Sequence, residues 1–386
     1  MNSHSTEAAL VLDNARIILP DLELEAGSVV IDRGLITSIT DGPNKTKAKT
    51  LDLSGLTLLP GFIDVHIHGA VGIDTLDANV EQLGEVAKFL ATQGVTSWLP
   101  TLVPASDEQF SRAVGEIAKS MNLATGARVL GVHYEGPFVN SAQCGALHTE
   151  FFKTYSGPED LAFMDAPDHA VRMITLAPEI DGGIELVREL KRRGWVISIG
   201  HTRADLKTLD EACEAGARHM THFMNAMPPL HHRAPGPVAW GLSREDVTFD
   251  VIADGIHLDP FMLRLLMKIK DASGITLISD AIAAAGKGDG DYQIWGETIS
   301  VKNSRTANAS GSIAGSVISM LDAVRLMRSL GVSYVELAWM ASSNPAQLLG
   351  VDNVCGSIEV GKRADLVALD TNGNVKLTMI GGHIVS

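Results

Sequence analysis

The chain has 386 residues, of which 45% are hydrophobic and 20% are charged, as is ordinary for a globular enzyme of one or two domains. Its formal net charge of -15 argues against nucleic acid or an anionic membrane as the main partner. Three cysteines cannot pair completely, no run approaches the length of a membrane span, and residues 1–20 lack the order of a signal peptide, so we expect a cytoplasmic protein.

Residues 9–53 have the pattern of short β-strands. Apolar segments such as Arg16–Leu19 and Ser28–Ile31 alternate with turn residues, of which Asp32-Arg33-Gly34 form the clearest turn. The same pattern returns in residues 356–385. The two ends therefore predict a small β-sandwich domain, built from residues 1–59 and 349–386, beside a catalytic domain of residues 60–348.

Residues 60–348 alternate between apolar runs and segments with helical periodicity. Apolar residues repeat at helical spacing from Val80 to Leu90, and Ser106-x-x-Gln109 is a capping box that opens a second helix. Eight apolar runs predict strands: Phe62–His68, Val95–Thr101, Arg128–Glu135, Arg172–Ala177, Trp195–His201, Arg218–His222, Val247–Ala253 and Ile275–Asp280. Eight strands joined by helical crossovers predict an α/β fold, a closed (β/α)8 barrel of the TIM type. The active residues of such a barrel lie at the C-terminal ends of its strands.

Five of these runs end in side chains that can bind a metal. His66 and His68 lie two positions apart in the first run, so both imidazoles point to one side of a strand. Neutral imidazole is a common ligand of zinc and iron. The other candidates end the third, fifth, sixth and eighth runs: Glu135, His201, His222 and Asp280. Because these strand ends meet on one rim of a barrel, we expect all six side chains to form one metal site.

The remaining histidines and one cysteine fit this pattern less well. His133 and His219 are offset from the strand ends, so they either support the ligands or belong to the core. Cys144 lies near the site in sequence, where a small buried thiol is the simpler interpretation. The histidines that we expect on the surface are His4, His169 and His383.

Two segments resemble the amidohydrolase superfamily, whose members combine a metal-dependent (β/α)8 barrel with a small β-sandwich: Pro60–Gly69 and Gly356–Val367. A narrower set of motifs is similar to the N-acetylglucosamine-6-phosphate deacetylase family within it. These motifs follow in order: His133–Phe138, Gly200–Thr202, Thr221–Pro228, Asp254–His257, Ser279–Ala281 and Ala314–Ser316. The resemblance covers nearly the whole chain, and its Glu-Gly-Pro and Asn-Ala-Met motifs are specific.

The resemblance implies one or two divalent ions, zinc or iron, in each subunit. It implies that Glu135, His201 and His222 hold the principal ion, while His66 and His68 permit a second ion that Glu135 bridges. Asp280 resembles the catalytic acid and base. The residues that match the sugar-phosphate contacts are Asn225, the backbone of Ala226, His257 and Arg233, the last expected from the neighbouring subunit of a homodimer.

One loop departs from the family pattern. The family places a histidine directly after a Gly-Ala or Gly-Thr pair, whereas Leu147 separates Gly145-Ala146 from His148 in this chain. The family's lysine before the glycine is also missing from this sequence. We nevertheless expect His148 to polarise the acetamide carbonyl of the substrate.

The reaction that the resemblance implies is hydrolysis of the acetamide of N-acetyl-D-glucosamine 6-phosphate to D-glucosamine 6-phosphate and acetate. A bound ion lowers the pKa of its water toward about 7, and Asp280 would pass the water proton to the leaving amine. The basic segment His231-His232-Arg233 suits a phosphate group, because arginine pairs with phosphate oxygens.

Two alternatives remain open at this point. One is another amidohydrolase, such as a deacetylase of a different N-acetyl sugar phosphate or a cyclic-amide hydrolase. The other is a barrel without catalytic activity that serves as a binding or assembly subunit. A barrel without activity would be expected to have lost some of the metal ligands from its sequence, whereas all six candidates are present here.

Overall fold

The computed structural model describes residues 9–44, 48–164, 166–167 and 169–386, so His4 and the other residues before Ala9 lie outside the described residues. Eight parallel strands occupy the positions of the eight predicted runs. Their bounds are Phe62–Ile67, Val95–Leu102, Gly131–Glu135, Val171–Leu176, Val196–Ile199, His219–Met220, Thr248–Ile252 and Ile275–Ile278. A two-residue strand, Arg128–Val129, precedes the third of them.

The eight strands form a barrel. Each strand pairs in parallel with its neighbour in the chain, from the first through to the eighth. The ring closes beyond the eighth strand, where the Asp280 N–H donates to the His66 carbonyl at 2.9 Å and the His68 N–H donates to the Ala281 carbonyl at 2.8 Å. Every residue of Val95–Leu102 is buried, because a barrel strand is covered on both faces. The predicted fold class is therefore confirmed.

Helices surround the barrel. Their bounds are Val80–Thr92, Asp107–Ser120, Gly183–Arg192, Leu206–Ala215, Gly236–Ser243, Pro260–Ile269, Met320–Ser329, Tyr334–Ala338 and Asn344–Leu348. The predicted capping box is present, since the Ser106 hydroxyl accepts the Gln109 N–H and the Gln109 side chain accepts the Ser106 N–H. Between the third and fourth strands, the described residues form only short 3-10 segments: Ser141–Gln143, Thr149–Phe151 and Pro158–Leu161.

The two ends of the chain share a second, eight-stranded sheet. Its strands are Leu10–Ile18, Glu23–Asp32, Leu35–Asp41, Lys49–Asp52, Thr57–Pro60, Leu366–Leu369, Val375–Ile380 and His383–Ile384. Thr57–Pro60 pairs with Leu366–Leu369, which joins the two ends. The sheet encloses a core of its own, with Leu12 and Ile36 from one end and Leu366 and Met379 from the other. This sheet is the predicted β-sandwich, while the exact domain boundaries at 59/60 and 348/349 stay a prediction.

A small three-stranded sheet, absent from the sequence prediction, follows the eighth barrel strand. It consists of Gly290–Ile294, Glu297–Lys302 and Arg305–Ala307, and its inner face packs on Ile282 and Ala314. The sequence carries a signal for it, because Glu297–Lys302 alternates polar and apolar residues after a Trp-Gly turn. No helix within the described part of the chain is both long and apolar enough to cross a membrane.

Candidate metal centre

All six metal-capable residues predicted from the sequence meet on the C-terminal rim of the barrel. These residues are His66, His68, Glu135, His201, His222 and Asp280, and none of them is more than 6% exposed. They form two groups, and within each group the ligand atoms lie within 4.8 Å of one another. Within the described residues, no other set of histidine, cysteine and carboxylate side chains meets this criterion.

The first group consists of Glu135, His201 and His222. Glu135 Oε1 lies 3.0 Å from the Nε2 atoms of both histidines, and those two nitrogens are 3.1 Å apart. The side chains come from the third barrel strand and from just beyond the fifth and sixth strands. Two imidazole nitrogens and one carboxylate oxygen therefore face a common point, as in a zinc or iron site with three protein ligands.

The second group consists of His66, His68 and Asp280. The two histidine Nε2 atoms are 3.1 Å apart, and Asp280 Oδ1 lies 3.4 Å from the first and 3.3 Å from the second. Glu135 joins the two groups, because its Oε1 is 3.5 Å from His66 Nε2 and its Oε2 is 3.2 Å from His68 Nε2. One carboxylate is thus in contact with histidines of both groups.

The electrostatics of the cluster favour bound cations. Burial acts to raise the pKa of Glu135, but the imidazoles of His66, His201 and His222 hold it well below its usual value. Burial acts to lower the pKa of His68, yet Asp280 and Glu135 raise it to about 10. Two ionised carboxylates in a buried site require compensating positive charge, which either protons on the histidines or metal ions can supply. The residues present therefore fit a divalent metal.

The far sides of two ligand rings are held by backbone carbonyl groups. His201 Nδ1 lies 2.7 Å from the Gln143 carbonyl oxygen, and His68 Nδ1 lies 3.2 Å from the Thr101 carbonyl oxygen. A proton on Nδ1 that bonds to a carbonyl leaves Nε2 free to bind a metal. The loop that carries Gln143 thus orients His201 although it is distant in sequence.

The two offset histidines lie behind the ligands and are buried. His133 Nδ1 is 3.0 Å from the Val65 carbonyl oxygen, and its Nε2 is 2.9 Å from Thr175 Oγ1. Burial, reinforced by His66, lowers the pKa of His133 well below its usual value, so this ring is neutral. His219 lies between Thr248 and Asp250. Both residues therefore support the site from the core, whereas His169 and His383 are exposed as predicted.

A cavity of about 320 Å³ opens above the two groups. Three residues predicted to contact the sugar phosphate line it: Asn225, Ala226 and His257. His257 Nδ1 is 2.7 Å from Asp254 Oδ2, which fixes the orientation of the ring. A larger cavity of about 520 Å³ lies near Trp195 and Arg218, at the opposite end of the barrel strands and away from both ligand groups.

Two predicted residues do not line the cavity. His148 is near Glu150, with its Nδ1 3.3 Å from Glu150 Oε1, and the buried side chain of Leu147 lines the cavity instead. Arg233 is exposed, and its Nη1 lies 2.7 Å from His232 Nε2. The role of each residue in the reaction stays a prediction.

The structure adds one prominent residue to the cavity wall, Trp295, which the sequence reasoning missed. Its ring packs edge-on against His68, with 5.3 Å between ring centroids, and its Nε1–H donates to Asp74 Oδ2 at 2.8 Å. Trp295 lies at the turn between the first two strands of the three-stranded sheet and has φ of +52°, which is unusual for a bulky residue. The Trp-Gly turn was the sequence feature from which Trp295 could have been singled out.

Known proteins share this fold and this sequence pattern. The amidohydrolase family matches residues 57–385. N-acetylglucosamine-6-phosphate deacetylase of Bacillus subtilis (strain 168) is 35% identical over 97% of each chain, and N-acetylgalactosamine-6-phosphate deacetylase of Escherichia coli O157:H7 is 36% identical over 97% of this chain and 99% of the relative. A mutant of N-acetyl-D-glucosamine-6-phosphate deacetylase from Mycobacterium smegmatis, in complex with N-acetyl-D-glucosamine-6-phosphate, superposes with a TM-score of 0.92 at 29% identity, over 98% of this chain and all of that one.

These matches extend over both the barrel and the terminal sheet. The chain therefore belongs to the amidohydrolase family. Within that family, the relatives compared above are deacetylases of N-acetylglucosamine 6-phosphate or N-acetylgalactosamine 6-phosphate.

Proposed function

We propose that the chain is a metal-dependent hydrolase that converts N-acetyl-D-glucosamine 6-phosphate to D-glucosamine 6-phosphate and acetate. The observation that carries this proposal is the position of two buried ligand groups, joined by Glu135, on the floor of a cavity that Asn225, Ala226 and His257 also line. Similarity to deacetylases along 97% of the chain supports the same substrate class. Complete ligand groups also argue against the inactive-barrel alternative.

Separate residues of the site carry out metal binding, proton transfer and substrate binding. Glu135, His201 and His222 would hold a divalent ion, which would supply Lewis-acid chemistry by polarising the substrate carbonyl and lowering the pKa of water at the site. Asp280 is placed to accept the proton of the attacking water and to deliver it to the nitrogen as the C–N bond breaks, so that the amine leaves in neutral form. Asn225 and His257 hold the sugar phosphate, and His148 would have to turn from Glu150 to reach the carbonyl.

We further propose that each chain binds up to two ions, zinc or iron, one in each ligand group. Metal analysis of metal-replete protein should then give up to two ions per chain. Replacement of both His66 and His68 with asparagine should lower this number by one, because it removes two of the three ligands in the second group. If replete wild-type protein never holds more than one ion, this pair is not a working site.

The proposal also includes the assembly, the domain division and the location of the protein. A homodimer in which Arg233 reaches the partner's phosphate site accounts for an exposed arginine that lies outside its own cavity. The division into residues 1–59 with 349–386 and residues 60–348 follows the two sheets. The three cysteines are free, as expected in a cytoplasmic protein.

Acetate release from a panel of amides tests the proposed activity. N-acetylglucosamine 6-phosphate should be turned over with a kcat/KM about tenfold to a hundredfold above that of the unphosphorylated sugar, since a charge-assisted phosphate contact contributes about 1.5–3 kcal/mol. N-acetylgalactosamine 6-phosphate belongs in the panel, because the relative that acts on it is as similar as the glucosamine enzyme. Preferential hydrolysis of a cyclic amide would instead support the alternative amidohydrolase.

A further inference from the structure

A buried carboxylate, Asp64, lies beneath the second ligand group. It is fully buried in the first barrel strand, two residues before His66. Its Oδ2 accepts the Ser279 hydroxyl at 2.5 Å, and its Oδ1 accepts the Ser279 N–H at 3.3 Å and the His66 N–H at 3.4 Å. Asp64 therefore ties the strand that carries His66 and His68 to the residue immediately before Asp280.

A second buried carboxylate, Asp250, lies beneath the first ligand group. It is fully buried in the seventh strand, and its Oδ1 accepts the backbone N–H of His222. Its Oδ2 lies 3.0 Å from His219 Nε2, and Thr248 Oγ1 holds the other side of that ring at 2.7 Å. Asp250 thus fixes the backbone of His222, which lies just beyond the neighbouring sixth strand.

These contacts fall where the backbone is strained. His222 has φ of +32° and Asp280 has φ of +49°, in the left-handed region that residues other than glycine rarely adopt. Such a conformation persists only where the surrounding structure holds it in place. Asp250 bonds directly to the first of these residues, and Asp64 bonds to the neighbour of the second.

We propose that Asp64 and Asp250 are positioning residues, each of which organises one of the two ligand groups for metal binding. Asp64 acts on the second group through the His66 N–H and through Ser279, which precedes Asp280, and Asp250 acts on the first group through the His222 N–H. Neither carboxylate lines the cavity, so each acts through the ligands and not on the substrate. The inference rests on the proposed function only for the claim that both groups bind metal.

Metal affinity, measured separately for the two groups, tests whether each carboxylate organises only one of them. The paired variants are Asp64→Asn and Asp250→Asn, each made in wild-type protein and in the His66→Asn/His68→Asn background, which leaves only the first group. Cobalt(II) binding is followed by equilibrium dialysis with metal analysis. In the single-group background, Asp250→Asn should weaken binding about tenfold to a hundredfold, the usual effect of removing a residue that orients a ligand, whereas Asp64→Asn should leave it unchanged. In wild-type protein, Asp64→Asn should weaken one of the two binding events and spare the other.

Asp365→Asn is the matched control for general destabilisation. Asp365 is also buried and accepts the Gly381 N–H at 2.7 Å, but it lies at the terminal sheet, away from both ligand groups. This variant should lower the thermal midpoint without changing either metal affinity. Equal weakening of both groups by Asp64→Asn, or by the control, would overturn the proposal. Should a variant fail to fold, Asp64→Ser and Asp250→Ser give the same comparison with a smaller side chain.

The result separates this inference from the proposed activity. Selective loss of cobalt affinity in a protein that does not release acetate would uphold the positioning roles and reject the deacetylase. Normal deacetylation, together with equal weakening of cobalt binding at both groups, would uphold the deacetylase and reject the positioning roles. Wild-type protein that binds no cobalt at either group would overturn both.

Discussion

Asp280 is the residue on which the proposed chemistry depends most directly, because its carboxylate lies 3.3–3.4 Å from two ligand nitrogens and also lines the cavity. Asp280→Asn keeps the shape of the side chain but removes its ability to carry a proton. We expect kcat to fall by about a hundredfold to ten-thousandfold, the usual contribution of a general acid or base. The ion that we propose for Glu135, His201 and His222 should remain, as metal analysis of the assayed sample would show. A kcat close to that of wild type would contradict the assignment.

A second prediction at the residue scale concerns the pH dependence of stability. Burial acts to raise the pKa of Asp254, but hydrogen bonds from the His257 ring and from the backbone N–H groups of Ile256 and His257 hold it below its ordinary value of 3.8. A lowered folded-state pKa means that the ionised carboxylate stabilises the fold above pH 3.8, and that this stabilisation is lost as the pH falls through the folded-state pKa.

Asp254→Asn should therefore destabilise the protein by about 1–3 kcal/mol at pH 7, the cost of disturbing a buried hydrogen-bonded group. Thermal midpoints of wild type and variant, measured from pH 7 to pH 3, should converge at the acid end. A difference that stays constant over this range would show that the charge of Asp254 is not the cause.

At the scale of elements, the small three-stranded sheet contributes to the metal centre through Trp295. The indole covers one side of His68, and its bond to Asp74 ties the sheet to the loop after the first barrel strand. Trp295→Ala should open this side to solvent and speed removal of metal from the second group by a chelator. We expect an effect of about tenfold, the lower end of the range for residues that orient a ligand.

Trp295→Phe is the control for this prediction. It keeps an aromatic edge against His68 and loses only the N–H bond to Asp74, so it should release metal more slowly than the alanine variant. Equal release rates for wild type and Trp295→Ala would show that the sheet does not protect the site.

The apolar runs made the barrel elements predictable, because a strand buried on both faces is predominantly apolar. The runs predicted at Val95–Thr101 and Ile275–Asp280 correspond to the strands Val95–Leu102 and Ile275–Ile278. The three-stranded sheet was missed because Glu297–Lys302 has one exposed face and follows the barrel as an addition to its regular alternation. Its core residues Ile294 and Ile299 pack with Ile282, a contact between separate segments that no local pattern shows.

At the scale of the whole molecule, the dimer prediction concerns Arg233. Its side chain is exposed and lies outside the cavity of its own chain, so a phosphate contact is expected in the partner's site. Arg233→Ala should lower kcat/KM about tenfold to a hundredfold for the phosphorylated substrate and leave the unphosphorylated sugar unaffected.

Mixing Arg233→Ala with Asp280→Asn protein distinguishes the two arrangements. If Arg233 acts across the interface, a mixed dimer contains one site with both lesions and one intact site, so activity partly recovers. If Arg233 acts within its own chain, every site keeps one lesion. Absence of recovery, despite demonstrated subunit exchange, would reject the shared site.

The sequence alone determined the fold class and the six ligand candidates. Apolar runs define buried strands, and a barrel brings the residues that end those strands onto one rim, so linear position was enough to predict that the six candidates lie in one site. Tertiary structure decided what depends on distance and direction: that Asp280 groups with His66 and His68, that Leu147 lines the cavity where His148 was expected, and that Trp295 covers His68. It also revealed Asp64 and Asp250, whose donors Ser279 and His222 come from neighbouring strands. Contacts between strands arise only when the barrel closes, and for that reason no pattern along a single strand could show them.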